Sequence, residues 1–355
     1  MCIHNNVLFG IKDVYNSMAS VSSRVRSVLC TGPHHQYPVP LCFGLRLLRV
    51  LDALTIRFYE FPIEILKLFQ LRYLACTYNG KLPASISELW NLQFLIVRRH
   101  LRIKSCGPPL YLPSEIWNMK ELKHLQVMGS DLPHPPCGAI LPNLLTLSDV
   151  TAHSCSKEVL EGIPNLKKLG IQIELALDSV EPLCSLDYLA YLHGLESLKC
   201  VILNPKPSSR IVAQTYPTSI FPLGLKKLTL SGFGYPWDCM NKIGELPNLE
   251  VLKLKCFTFR GLKWYKKNDE FRELKFLLIE DSDLEYWGSD SSFPHLQRLI
   301  IRHCYKLEEF PLDFKSAGSL EMIELIDCKP SVVESATFQQ GLQVCLRSSW
   351  IDEKH

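Results

Sequence analysis

No run in this chain of 355 residues is long and apolar enough to cross a membrane as a helix; the longest, such as 276–279, fall far short of the roughly 18 residues needed. Residues 1–20 lack the basic, apolar and small-residue regions of a secretory leader. None of the twelve asparagines opens an N-x-S/T acceptor, which argues against a glycosylated extracellular protein. The 14 cysteines include no C-x-x-C pair and follow no regular spacing, so they read as reduced thiols and not as a disulfide framework. Neither sign of charge is in clear excess: 39 Lys and Arg stand against 36 Asp and Glu, and a net charge of +3 makes no general case for nucleic acid or membrane binding. These absences together point to a cytoplasmic address.

The motifs of chemistry are missing too. No G-x-x-x-x-G-K-[ST] loop is present, and Gly80-Lys81 lacks both its upstream glycine and its hydroxyl. There is no H-E-x-x-H, no G-x-S-x-G and no kinase pair of H-R-D-L with D-F-G. The chain is therefore expected to be no enzyme and to hold no cofactor and no metal. Cys30, His34, His35 and Cys42 lie near one another, but their spacing matches no zinc pattern and reads as a loop. Asp281, Asp283 and Glu285 read as a solvated turn.

What is present is a period. In 293–311, FPHLQRLIIRHCYKLEEFP, Leu296, Leu299 and Ile301 fit L-x-x-L-x-L, with Leu299 and Ile301 pointing inward along a short strand. Cys304 then takes the turn position, where a small polar group bonds the backbone of the adjacent coil. The first apolar position recurs at Leu48, Leu71, Leu92, Leu122, Leu144, Leu166, Leu195, Leu225, Leu249, Leu274, Leu296 and Leu320, at steps of 21 to 30 residues. A unit this short cannot bury its apolar face alone and is stable only between copies of itself. The hydrophobic fraction of 47% is sufficient for such a continuous core.

The expected fold is α/β: a leucine-rich-repeat solenoid, or horseshoe, with a parallel β-sheet on the concave side and short helical or 3-10 segments on the convex side. Residues 1–23 read as a linker without strand or helix period; 24–355 form the repeat domain, with about twelve repeats over 48–328 and a cap over 329–355. A first irregular strand is expected at 24–30. Pro62, Pro83 and Pro113 each open a series of apolar residues at steps of three, which suits a 3-10 segment whose φ the proline fixes. One longer helix is expected after Pro182. Two stretches, 98–111 and 204–219, are rich in Pro, Gly or Ser and read as bulging loops.

With no chemistry to place, the candidate site is a surface. The x positions of L-x-x-L-x-L point to the concave side, and most charges at or just past them are basic: Arg72, Arg98, Lys123, Lys167, Lys168, Lys199, Lys226, Lys227, Lys253, Lys255, Lys275, Arg298 and Arg302. Fewer acids share these positions: Glu196, Glu250, Glu280, Glu321 and Glu324. The plain reading is that these cations solubilise an exposed strand face; the functional one is a basic ridge for an acidic protein partner. Aromatics interleaved with cations over 253–275 mimic a nucleic-acid stacking surface, but they fall at core positions or in one loop, so no nucleic acid is expected.

The blocks CIHNNVLF and SSRVRSVLCTGP, LRVLDAL, LPASISELWNLQFLIV, LPSEIWNMKELKHLQV, and LKFLLIEDSDLEYW with RLIIRHCYKLEEFP carry a resemblance. The chain resembles the repeat region of plant intracellular nucleotide-binding leucine-rich-repeat immune receptors of the coiled-coil type, late blight resistance proteins of nightshades among them. That resemblance implies a plant defence role in effector recognition and in autoinhibition of a nucleotide-binding switch. The implied partners are the receptor's own or a related nucleotide-binding domain, a pathogen effector or a guarded host protein. ADP and ATP would belong to that switch domain, whose phosphate-binding residues have no counterpart here. A free-standing adaptor, such as a substrate-recruiting subunit of a ubiquitin ligase, is the alternative.

Overall fold

In L-x-x-L-x-L the last two apolar positions are two residues apart, so on an extended backbone both enter the same side and the residues between them face away. The computed structural model describes residues 2–4, 24–32, 45–99, 111–174, 187–204, 221–267, 269–289, 293–310, 319–337 and 343–347. All twelve first-position leucines, from Leu48 to Leu320, are buried there, none more than 6% exposed. The chain divides into two compact units, Met1–Gln172 and Ile173–His355.

The first unit carries strands β1 (Cys2–His4), β2 (Ser27–Thr31), β3 (Val50–Phe58), β4 (Tyr73–Tyr78), β5 (Phe94–Arg98), β6 (His124–Ser130), β7 (Thr146–Thr151) and β8 (Lys168–Ile173). Each pairs in parallel with the next, and the register sets Leu51, Leu74, Leu95, Leu125, Leu147 and Leu169 opposite one another. A leucine so buried contributes about 1.5–3 kcal/mol, and each shares that contact with both neighbours, so the repeats hold one another. The three prolines behave as expected. Pro62, Pro83 and Pro113, with φ of −68°, −69° and −72°, cap 3-10 segments at Ile63–Lys67, Ala84–Glu88 and Ser114–Asn118, each burying its central isoleucine. Helix α1 (Lys157–Glu161) begins where the Ser156 hydroxyl accepts the Val159 N–H at 3.4 Å.

The second unit holds β9 (Ser197–Ile202), β10 (Lys227–Ser231), β11 (Tyr235–Pro236), helix α2 (Met240–Gly244), β12 (Val251–Lys255), β13 (Phe259–Arg260), β14 (Lys263–Lys266), β15 (Phe276–Glu280), β16 (Tyr286–Ser289), β17 (Arg298–Arg302), β18 (Met322–Ile326), helix α3 (Pro330–Thr337) and β19 (Gln343–Arg347). The main sheet runs β9, β10, β12, β15, β17, β18, β19, all parallel. Behind it two small parallel ladders, β11 with β13 and β14 with β16, carry an aromatic stack. Trp237 stacks on Trp264 at 5.3 Å between centroids and Trp264 on Trp287 at 4.7 Å, with Phe259, Phe271 and Phe293 packed around them. The turn thiols lie against the adjacent coil as expected: Cys304 Sγ is 3.9 Å from the Ile279 carbonyl, and Cys328 Sγ 3.6 Å from that of Ile301.

Three expectations are corrected or extended by the structure. Residues 1–23 include a strand, since β1 pairs with β2 through Cys2 opposite Leu29; a three-residue strand is too short to show a period. The terminal segment also continues the sheet, with Ile323 opposite Val344 and Leu325 opposite Leu346; QVCLR has the alternation but no leading leucine to announce it. The described part of the helix expected after Pro182 is a 3-10 segment, Asp187–Tyr191; the rest, with nearly all of the two bulging loops, lies outside the described residues.

Candidate functional site

The parallel register sorts the ridge residues into rows that cross the strands, one residue per repeat. An edge row lies just before the strands. In the first unit it runs Arg26, Arg49, Arg72, Gln93, Lys123, Leu145, Lys167, each amide donating to the carbonyl of the row's preceding member. None of these is an acid. In the second unit the same row runs Glu196, Lys226, Glu250, Lys275, Gln297, Glu321, and its charges compensate: Lys226 pairs with Glu196 at 3.5 Å and Lys275 with Glu250 at 3.2 Å. Such exposed pairs are worth about 0–1 kcal/mol each, but they cancel the field an approaching partner would feel.

The open face of each sheet carries the remaining ridge residues. In the first unit it is aromatic more than cationic: Tyr73, Phe94 and His124 occupy one row, with Phe94 stacked on His124 at 4.3 Å. Burial, and then the neighbouring Lys168 and Lys123, hold the His124 imidazole below its ordinary value. Lys168 continues this row beyond Thr146, and Arg98 lies further along the strands, opposite Thr77.

The open face of the second unit is cationic. Lys227 and Arg298 share one row, Lys199 and Lys253 the next, and Lys255, Arg302 and Arg347 stand in the row beyond, with the carboxylates of Glu280 and Glu324 among them. Lys255 reaches Glu280 at 2.8 Å, while Lys253 and Arg298 lie over the Phe276 ring at 5.4 and 6.0 Å. Each unit thus carries its own part of the ridge read from the sequence, and in the second Lys226 and Lys275 are paired with glutamates at the edge.

Sequence reasoning missed Arg26, Arg49 and Arg347. The first two could have been found, because Arg49 follows Leu48 as Arg72 follows Leu71; Arg347 could not, since its strand lacks the repeat pattern. Also missed was an asparagine ladder. Asn91, Asn143, Asn165 and Asn248 each sit one residue before a first-position leucine and donate to a carbonyl of the preceding repeat, at 2.9 to 3.0 Å.

Two of the three acids read as a solvated turn are instead tied in. Asp281, at φ 53°, accepts from His303 Nδ1 at 3.2 Å, and His303 Nε2 lies 3.4 Å from Asp327; the Asp283 carboxylate accepts the Gly261 N–H at 3.3 Å. The aromatics of the basic stretch divide likewise. Phe259, Trp264 and Phe271 are core residues, while Phe257 and Tyr265 are exposed. Among the described residues no group of three or more His, Cys, Asp or Glu could hold a metal ion, and no helix is long and apolar enough to cross a membrane. Cys30 is buried; its zinc-like neighbours His34, His35 and Cys42 lie outside the described residues.

The model of the leucine-rich repeat region matches residues 24–339. The chain belongs to the leucine-rich-repeat family. This leucine-rich-repeat chain is similar to two putative late blight resistance protein homologs from Solanum demissum, each 34% identical over 315 residues that cover 85% of the chain and 23% of the relative. A third such homolog from the same plant is 33% identical over 86% of the chain and 24% of the relative. The chain thus spans about a quarter of the length of these relatives. Among solved structures, an internalin from Listeria monocytogenes superimposes with a TM-score of 0.55 at 12% identity, over 97% of this chain and 94% of that one. A TLR13–ssRNA13 complex gives 0.56 at 16% identity, over 97% of this chain and 52% of that one. At these identities the likeness concerns the fold alone.

Proposed function

We propose that this chain is the protein-recognition module of a plant intracellular immune receptor, and that it works through its two cationic surfaces. The edge row of the first unit would engage an acidic face of a nucleotide-binding switch domain and hold it at rest; the open face of the second unit would meet an effector or a guarded host protein. The observation that carries this reading is the contrast between the edge rows. A row of cations that served only solubility would need no different treatment in the two units, yet lysine and glutamate alternate in the second and no acid interrupts the first. Similarity to the late blight resistance homologs supports the setting, and repeat surfaces of this kind bind proteins along their rows.

The test is co-precipitation of this chain with the nucleotide-binding domain of a late-blight-type receptor, supplied as a separate polypeptide. Arg49→Glu with Arg72→Glu should abolish the association, and Lys226→Glu should leave it intact. Equal binding by all three proteins would remove the edge row from the account. A ubiquitin-ligase adaptor would instead retain ligase scaffold subunits whether or not the row is reversed.

A further inference from the structure

On the open face of the second unit one carboxylate is buried beside apolar and basic side chains. Glu324 stands in the row of Leu278 and Ile300, and its side chain is 6% exposed. Three arginines converge on it: Arg298 Nη2 at 3.2 Å, Arg302 Nη2 at 3.7 Å and Arg347 Nε at 3.9 Å. Their own side chains remain 47%, 34% and 74% exposed. A glutamate so placed adds little to stability, because its desolvation offsets most of the attraction, and an apolar residue of similar size would serve the fold as well.

What Glu324 does accomplish is positional. Two carboxylate oxygens meet three guanidiniums, each with five N–H donors in a planar fork, so the group keeps both excess positive charge and outward donors. Arg298 is steadied further over the Phe276 ring. The Nε–H of Arg302 is buried and finds no acceptor among the described residues. Leu278 and Ile300, both about 4% exposed, supply a dry floor beside the cluster, where a charged hydrogen bond is stronger than in water.

We propose that Arg298, Arg302 and Arg347 form a subsite for a side-chain carboxylate of an acidic polypeptide, and that Glu324 is the positioning residue that holds the three forks ready. This rests on the reading of the cationic open face as a contact with an acidic protein. It differs from a simple net-charge picture in one respect. Removing the negative charge of Glu324 makes the face more basic, so charge alone predicts tighter binding, whereas loss of the arrangement predicts weaker binding.

The experiment is fluorescence anisotropy of a labelled deca-glutamate peptide titrated with the full chain at low salt. Arg298→Ala with Arg302→Ala should weaken binding by at least about tenfold, given the strength of charge-assisted hydrogen bonds. Glu324→Gln, of the same shape, should weaken it by a similar factor while its far-UV circular dichroism and urea midpoint match wild type, which separates the effect from a folding defect. Should Glu324→Gln fail to fold, Arg347→Ala, at an exposed position, carries the test with an expected loss of several-fold. Tighter or unchanged binding by Glu324→Gln, or unchanged binding by Arg347→Ala, overturns the subsite and leaves the cationic face standing if Lys227→Glu weakens binding. No effect from any of these variants overturns both.

Discussion

Two tryptophans in one stack offer a comparison in which most terms cancel. Trp237 and Trp264 are 5% and 2% exposed and stack on each other, but only one has its indole N–H satisfied. Trp237 Nε1 donates to the Gly261 carbonyl at 2.9 Å, whereas Trp264 Nε1 is buried with no acceptor among the described residues. Tryptophan to phenylalanine removes the same atoms at both sites and leaves a comparable void, a shared cost of roughly 1–2 kcal/mol. Trp237→Phe then also leaves the Gly261 carbonyl without this donor, adding about 1–3 kcal/mol. Trp264→Phe removes a buried unpaired donor and recovers a penalty of about the same size. The expected difference is about 4 kcal/mol, with Trp264→Phe near wild type. For a unit of this size a urea m-value of about 2–3 kcal/mol/M turns that into a midpoint difference of roughly 1.5 M, read by far-UV circular dichroism. Coincident midpoints, or earlier unfolding of Trp264→Phe, would refute the reasoning.

The asparagine ladder predicts a smaller, local effect: Asn165→Ala loses the bond to the Pro142 carbonyl and should lower stability by about 1 kcal/mol, a fall in Tm of roughly 2–4 °C, with Asn165→Asp worse because it sets two acceptors face to face. Burial pushes the Cys30, Cys76 and Cys304 thiols up to about 12 from their ordinary value of 9, so iodoacetamide at pH 8.5 should label exposed Cys2 and Cys137 and leave these three unmodified until the chain unfolds. The unfolded chain loses these protons first, so stability should decline as pH rises from near 9 to about 12, measured as a falling urea midpoint.

The fold was legible because one residue type does one job at one spacing. Leu48 to Leu320 mark each repeat, and Pro62, Pro83 and Pro113 mark the 3-10 segments, since a fixed φ is a local property that needs no partner. The strands at Cys2–His4 and Gln343–Arg347 were not legible, because their pairing is decided by the neighbouring strand and not by their own composition. The surface was half legible. A lysine at an x position faces outward whatever its neighbours, but whether it is compensated depends on a residue some 25 positions away, as Lys275 is by Glu250 and Lys255 by Glu280. The role of Glu324 was hidden for the same reason: in sequence it is one acid in MIELI, and only the register brings Arg298, Arg302 and Arg347 around it.

The measurement that tests the central claim most directly is zero-length carbodiimide cross-linking of this chain bound to the nucleotide-binding domain of a late-blight-type receptor. The reagent joins a lysine amine only to a carboxylate in contact with it, so it reports the chemistry and the place of the interface together. Cross-links should concentrate in the first unit at Lys123 and Lys167 of the edge row, and reach acidic residues of the partner. A complex that forms but cross-links instead through Lys67, Lys120 or Lys157, on the 3-10 and helical side of the same unit, would contradict the account.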